Sequence, residues 1–203
     1  MLRASVCAKT IAMLLAVISV GACVSSPKIE FFALEAMPVQ KAPAPVAAAA
    51  HVQITVVHIP AVLDRQQMVR VNGTMLTVSD QHRWAAPLAE MIRRVLTQEL
   101  AARTPAGVVV LPEEPAPNAT AQIVVDLLQF DANATGTVVL DGSWSLTQAG
   151  AQSPRVREPI HYVERSGAVD YAGQVHVMSE ILAHLASDMA ETLARAHTGE
   201  KAR

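Results

Sequence analysis

The fold is decided by the stretch Ile54–Leu100, ITVVHIPAVLDRQQMVRVNGTMLTVSDQHRWAAPLAEMIRRVLTQEL. Near its middle, Asn72-Gly73 separates two apolar runs and predicts a β-hairpin, because both residues tolerate a positive φ. Further on, apolar residues recur at helical spacing from Trp84 to Leu100, and Ser79 or Asp80 could cap a helix in front of them. The stretch therefore predicts a strand, a hairpin and a covering helix in one continuous run.

The strands outside the hairpin are predicted from the alternation of apolar and polar residues along the chain. Val52, Ile54 and Val56 share one face of the first strand, and Gly142 could form a β-bulge in a later one. Downstream strands are predicted over Val108–Leu111, Ile123–Phe130, Thr137–Thr147 and Val156–Glu164, and a last helix from about Tyr171 or Gln174 to Ala196. This order predicts an α+β fold, a mixed or antiparallel sheet of about five to seven strands with two helices packed on one face.

The composition excludes a nucleic-acid-binding protein. The chain has 203 residues, 3% aromatic residues and a formal net charge of -2, so it lacks the basic surface that a phosphate backbone attracts. Its two cysteines, Cys7 and Cys23, both precede the region predicted to fold. The domain is therefore left without a thiol for a disulfide or for a cysteine-ligated metal.

Residues 1–22 have the layout of a secretory signal peptide. A basic start is followed by an apolar core, Ile11–Val20, which is too short to span a bilayer. Val20-Gly21-Ala22-Cys23 resembles the lipobox of bacterial lipoproteins, which implies cleavage before Cys23 and a covalent lipid anchor on it. The alternative is an ordinary signal peptide with an incidental cysteine. Because the next residue, Val24, is not aspartate, sorting to the outer membrane is expected.

The chain is predicted to have three parts. They are a lipoprotein signal peptide at 1–22, a lipidated N-terminus and tether at 23–50, and a single domain at 51–203. Lys41–Ala50 is rich in proline and alanine and is expected to hold the domain off the membrane. Phe31–Leu34 is a short apolar patch that could add an edge strand to the domain.

No residue pattern in the sequence is typical of an enzyme site. His176 and His184 are predicted to lie two helical turns apart, which is too far for a shared metal ion. Ser143 lacks the glycine-flanked turn of a hydrolase nucleophile, and no glycine-rich phosphate loop follows a strand. Asp64-Arg65 could form a catalytic element, but an ion pair in a loop is the simpler interpretation. We therefore expect no catalytic residue, no metal site and no cofactor other than the covalent lipid on Cys23.

Several segments of the chain match a known family. They are Phe31–Leu34, Val56–Pro60, Leu63–Val69, Arg83–Leu88, Phe130–Ala132 and Leu140–Leu146. Through them the chain resembles the ABC-type transport auxiliary lipoproteins related to the paraquat-inducible lipoprotein C. The most specific segments are LDRQQ at Leu63–Gln67 and RWAAPL at Arg83–Leu88. At Gln66 the sequence departs from the family, which usually has proline there, so this loop is expected to be less rigid.

The resemblance implies a non-catalytic auxiliary subunit of an ABC transport system, anchored to the outer membrane by its lipid and facing the periplasm. The implied partners are the permease and ATPase of the transporter and a periplasmic protein of the MCE type, in lipid trafficking or envelope integrity. Asp64, Arg65 and Gln67 would then contact a partner, or a neighbouring copy in a homo-oligomer; bracing of the strand-to-hairpin connection is an equally open role. Trp84 is expected to pack between helix and sheet. The alternative function is a structural or assembly lipoprotein that scaffolds another envelope machine.

Overall fold

The computed structural model describes residues 28–38 and 51–200, and the side chains as far as residue 196. The signal peptide, Cys23 and the segment 39–50 lie outside the described residues, and what the sequence predicts for them stays a prediction. The strands are β1 (Glu30–Phe32), β2 (Val52–His58), β3 (Gln67–Asn72), β4 (Met75–Trp84), β5 (Ala121–Ala132), β6 (Thr137–Thr147) and β7 (Val156–Arg165), and the helices are α1 (Leu88–Arg103) and α2 (Tyr171–Glu200). The edge strand predicted near Phe31 is present as β1.

The seven strands form one mixed sheet in the order β1-β4-β3-β5-β6-β7, and β2 pairs with β5. One edge of β5 pairs antiparallel with β6. The other edge pairs parallel with β2 from Ala121 to Asp126 and then with β3 at Ala132. Because β2 and β3 lie end to end along the same edge, residues 59–66 between them must turn out of the sheet.

Both helices pack against the sheet and against each other, and they cover one of its faces. The core is mostly aliphatic, and its largest fully buried side chains include Ile54, Met68, Leu88, Met91, Ile92, Leu96, Leu100, Ile123, Leu140 and Met178. Burial of each such side chain contributes roughly 1.5–3 kcal/mol. The predicted α+β fold, a mixed sheet with two helices, is confirmed. In the described part of the chain, neither helix combines the length and the hydropathy needed to cross a bilayer.

The hairpin predicted at Asn72-Gly73 is confirmed. Asn72 pairs with Met75 at the end of the β3–β4 ladder, and Gly73 has a φ of 59°. That positive φ is the conformation for which glycine is favoured in a two-residue hairpin loop.

The predicted start of the first helix is wrong. Ser79 and Asp80 do not cap a helix, because both lie within β4, which continues to Trp84. The helix begins at Leu88, directly after Pro87. Proline keeps the residue before it extended but suits the first turn of a helix, so it fixes the boundary here. Trp84 is only 4% exposed, which confirms its predicted place between sheet and helices.

The alternation predicted along β2 is interrupted. The register between β2 and β5 shifts between Ile54 and Val56, so Thr55 is an extra residue in the ladder. A β-bulge of this kind reverses the faces of the residues that follow it. Val52, Ile54 and Val57 are therefore buried, whereas Val56 is 39% exposed. The prediction that Val56 shares the buried face is wrong.

The segment Val108–Leu111, predicted as a strand, makes only an isolated bridge to β2. The N–H of Val52 donates to the carbonyl oxygen of Val108 at 2.9 Å, and the N–H of Val110 donates to that of Val52 at 2.9 Å. Pro112 follows at once and has no N–H to extend the ladder.

Gly142 faces a β-bulge rather than forming one. The extra residue is Leu128 of β5, where the β5–β6 register shifts, and its side chain is 78% exposed. A Cβ atom on Gly142 would collide with the carbonyl oxygen of Asp126 and lie 2.9 Å from the Cα of Leu127. The strands approach so closely here that β6 needs a glycine.

Replacing Gly142 with alanine is expected to destabilise the domain, because backbone atoms of β5 would have to move. Overpacking of this kind costs about 1–3 kcal/mol, and each kcal/mol lowers the melting temperature by about 2–4 °C in a protein of this size. Gly167→Ala is the matched control, since a Cβ there meets nothing within 4 Å. Equal melting temperatures for the two variants in thermal denaturation would contradict the close approach of the strands.

Candidate functional site

The two most specific family segments meet in the fold. Arg83 of β4 pairs with Gln67 of β3 on one side and with Phe31 of β1 on the other. Neighbouring strands lie about 4.8 Å apart, so these three residues form one row on the same face of the sheet. We call this place, made of Leu63–Gln67 and Arg83–Trp84, the corner.

A buried leucine and short backbone hydrogen bonds fix the loop of the corner. Leu63 is buried, and its N–H donates to a carbonyl oxygen three residues earlier at 2.9 Å. The N–H of Arg65 donates to the carbonyl oxygen of Leu63 at 2.8 Å, and the carbonyl oxygen of Gln66 accepts the N–H of Trp84 at 2.7 Å. The loop is thus held at both ends, and Asp64 lies exposed between them.

The three contact residues predicted from the sequence have different surroundings. Asp64 and Arg65 are exposed, and neither side chain makes a hydrogen bond or ion pair within the described residues. The ion pair expected between them is therefore not formed. Gln67 is half-buried and paired with Arg83 in the β3–β4 ladder. Asp64 and Arg65 thus have exposed charged side chains, whereas Gln67 is held in the ladder. The role of the three residues in binding stays a prediction.

Arg83 is a candidate that the sequence-based set of contact residues did not include. Its Nη1 donates to Oε1 of Gln66 at 3.4 Å, a contact that the family's usual proline could not make. Its Nε is buried and has no acceptor within the described part of the chain. A buried donor without an acceptor costs roughly 1–3 kcal/mol, and more when it is charged. An acceptor supplied by a water or by another molecule would remove that penalty, so the guanidinium is a candidate binding group.

One serine–histidine–carboxylate arrangement lies beside the corner. The Oγ of Ser79 is 2.8 Å from Nδ1 of His82, and Nε2 of His82 is 3.7 Å from Oε2 of Glu30. The same Oγ, however, accepts the N–H of His82 at 3.1 Å, and the imidazole stacks on Tyr171 with 4.0 Å between ring centroids. The hydroxyl accepts a hydrogen bond within a turn, and the imidazole is held against Tyr171. The arrangement therefore stabilises β4 and does not present a nucleophile.

A groove of about 670 Å³ lies next to the corner, on the face of the sheet that the helices leave open. Its apolar lining is Val62, Val71, Leu76, Leu128 and Val139, and its polar lining includes Asn72, Gln129, Asp131, Asn133 and Thr137. Leu128 faces this side because it follows the buried Leu127 in the alternation of β5. A lining that combines apolar and polar side chains is compatible with a protein-contact surface.

Asp131 in the groove wall is electrostatically unusual. Burial raises the pKa of Asp131 above its ordinary value, and the hydrogen bond from Gln129 Nε2 at 3.2 Å offsets part of that effect. The cause is desolvation, which disfavours the ionised carboxylate.

Four histidines away from the corner each contact one carboxylate, whereas His51 contacts the carbonyl oxygen of Gly107. The shortest contacts join His58 to Asp126 at 2.6 Å, His161 to Asp141 at 2.5 Å and His184 to Glu164 at 2.8 Å. Within residues 28–38 and 51–196, no group of three histidine, cysteine or acidic side chains is arranged to hold a metal ion. His176 pairs with Glu180 rather than with His184.

Asp131→Asn is expected to stabilise the domain at neutral pH while having little effect in acid. The folded state holds its proton to higher pH than the unfolded state does, so wild-type stability falls as pH rises through the raised pKa. Asparagine keeps the acceptor for Gln129 and has no charge to desolvate. Denaturant unfolding at acidic and neutral pH measures the difference, with the exposed Asp64→Asn as control. A stability difference that does not change with pH would contradict the raised pKa.

Comparison with known proteins agrees with this architecture. A family model described as ABC-type transport auxiliary lipoprotein component matches residues 32–190. Protein XCC0632 from Xanthomonas campestris, of family designation DUF330, has a similar structure, with a TM-score of 0.70 at 11% identity over 86% of this chain and 99% of that one. A second crystal structure, of an uncharacterized protein, has a TM-score of 0.69 at 20% identity over 82% and 99%. At such identities the two structures support the fold alone. No curated protein sequence matches the chain.

The family match covers most of the chain, from the last residue of β1 through the corner and most of α2. Its description associates such proteins with an ABC transport system and, as lipoproteins, with a membrane anchor. The chain belongs to the family of ABC-type transport auxiliary lipoprotein components.

Proposed function

We propose that the protein is a non-catalytic auxiliary subunit of an ABC/MCE-type transport system for lipid trafficking or envelope integrity. Membership of the family supports the transport role. The lipobox-like sequence ending at Cys23 supports a lipid anchor, and Val24 after it supports the outer membrane, with the domain facing the periplasm. The partners are the permease and ATPase of the transporter and a periplasmic MCE-type protein.

The observation that carries this proposal is the corner. It brings together the LDRQQ and RWAAPL segments, which are separated by residues 68–82 in the sequence. Its exposed groups are the Asp64 carboxylate and the Arg65 guanidinium, and the Arg83 Nε lacks an acceptor within the described residues. Such groups recognise a protein through charge-assisted hydrogen bonds. They form a binding surface without an activated nucleophile.

The groove extends that surface. Its apolar lining, Val71 and Leu76 from the hairpin together with Leu128 from β5, would bury apolar side chains of the partner next to the charged corner. A contact surface with an apolar centre and charged groups at its edge is typical of specific complexes between proteins. The periplasmic partner is therefore expected to cover corner and groove together.

Cys23→Ala is expected to leave the protein as an unprocessed or unanchored precursor, because the thiol that carries the lipid is lost. Fractionation of the cell envelope, followed by the mass of the protein, measures the outcome. Mature protein of Cys23→Ala recovered in the outer membrane would contradict the lipid anchor.

Exchanging the corner charges, Asp64→Arg with Arg65→Asp, is expected to lower co-purification of transport components with the lipidated protein by tenfold or more. The net charge and the fold are unchanged, so the loss would come from the mismatched pairs, each worth about 1.5 kcal/mol or more when desolvated. Affinity purification from solubilised envelopes gives the readout.

Arg94→Asp is the matched control, because Arg94 is exposed on α1, away from the corner. It should leave co-purification unchanged. If the exchanged variant retains its transport partners and changes only the size of the assembly of this chain, the corner binds a neighbouring copy instead. Recovery of an outer-membrane barrel without any transport component would favour the scaffolding alternative.

A further inference from the structure

The described part of the protein begins close in sequence to the predicted lipid site. Only Val24–Pro27 separate Cys23 from Lys28, where the described chain starts. A fully extended chain spans at most about 3.5 Å per residue, so the Cα of Lys28 lies within about 18 Å of that of Cys23. If Cys23 carries the lipid, as the proposed function requires, the start of the fold cannot move far from the membrane.

Residues 28–38, which we call the N-terminal strap, are built into the fold. β1 pairs with β4 at three positions, and the N–H of Ala85 donates to the carbonyl oxygen of Phe32 at 2.8 Å. Leu34 is buried in the core. The N–H of Glu35 donates to Oγ of Ser179 at 3.3 Å. The strap therefore runs from the edge of the sheet to the helices and is not a free linker.

The described residues on both sides of the proline- and alanine-rich segment Lys41–Ala50 are bonded to the domain. On one side, the N–H of Met37 donates to the carboxylate of Glu99. On the other, the carbonyl oxygen of His51 accepts the N–H of Ala121 at 2.8 Å. If Cys23 carries the lipid, Val24–Pro27 is the segment that links it to the strap, and the spacer role expected of Lys41–Ala50 stays a prediction.

The surface next to this link suits a lipid bilayer. Ile29 and Phe31 are 40% and 58% exposed. They are two residues apart at a strand, so they share one face. Lys28 is exposed beside them. Apolar side chains next to a basic residue bind at the interface of a bilayer, where the apolar groups enter the headgroup region and the charge meets anionic lipid.

We propose that the β1 edge of the sheet lies against the membrane surface, with Ile29 and Phe31 in the headgroup region and Lys28 against anionic headgroups. The sheet then stands with β1 nearest the bilayer. The Gln67 end of the corner is two strands further on, or about 10 Å away. The corner is thus presented close to the membrane, where a partner that delivers or receives lipid would be met.

Fluorescence quenching on vesicles tests this orientation. The lipidated protein is reconstituted into vesicles of phosphatidylethanolamine and phosphatidylglycerol that contain a headgroup-bound quencher. A thiol dye is placed at Ala33→Cys, which is exposed directly after β1, or at Ala151→Cys, in the turn between β6 and β7. The thiol of Cys23 is blocked by its lipid, so the dye reacts at the new position only. The dye at residue 33 is expected to be quenched severalfold more than the dye at residue 151.

A second set of variants separates contact from mere proximity. A Gly/Ser linker of about 20 residues after Ser26 has a reach of about 25 Å and releases the length limit. With this linker the dye at residue 33 should stay quenched, and with the linker plus Ile29→Ser and Phe31→Ser the quenching should be lost. Loss with the linker alone, or equal quenching at residues 33 and 151, would overturn the membrane contact. A mature protein whose mass shows no lipid would instead contradict the proposed anchor.

Discussion

One edge of β5 pairs with two strands, and this constraint determines where the corner forms. β2 occupies the first half of the edge and β3 its end, so the chain between them has to leave the sheet as a loop. Leu63 returns to the core within that loop, which leaves Asp64 and Arg65 exposed. β4 then runs back along β3 and places Arg83 opposite Gln67. The strand topology therefore determines the position of the corner more than any single residue does.

The N-terminal strap is bonded to the same domain. Glu99 of α1 is fully buried and forms an ion pair with Arg103. It also accepts the N–H of Met37. A buried carboxylate is tolerated only when it is paired and hydrogen-bonded, so the strap helps to satisfy a charge inside the domain. The strap and the rest of the domain form one folding unit, so a lipid anchor at Cys23, as proposed, would couple the orientation of the sheet to its own position.

Local signals in the sequence were sufficient for part of this structure. Asn72-Gly73 identifies its hairpin because the turn depends on two adjacent residues. The exposed side chain of Val56 could not be foreseen, since the bulge at Thr55 exists only against β5. Gly142 shows an intermediate case: the glycine is visible in the sequence, but the bulge that demands it lies on the neighbouring strand.

Local sequence patterns were also insufficient to predict the corner. Resemblance to the family singles out both of its segments, yet their meeting depends on a register between residues 67 and 83. The missing acceptor of the Arg83 Nε is a property of packing, so no periodicity or motif could reveal it. The sequence identifies the two segments, and the fold shows that they lie next to each other.

Crosslinking in intact cells tests the central claim most directly, namely that the corner binds the transport machinery. A photoreactive residue is placed at Arg65, with one at the exposed Arg157 on β7 as control, and the adducts are identified by mass spectrometry. Irradiation should join position 65, but not position 157, to a component of an ABC/MCE-type transport system. The claim is contradicted if position 65 yields no such component, or if both positions capture the same proteins to the same extent.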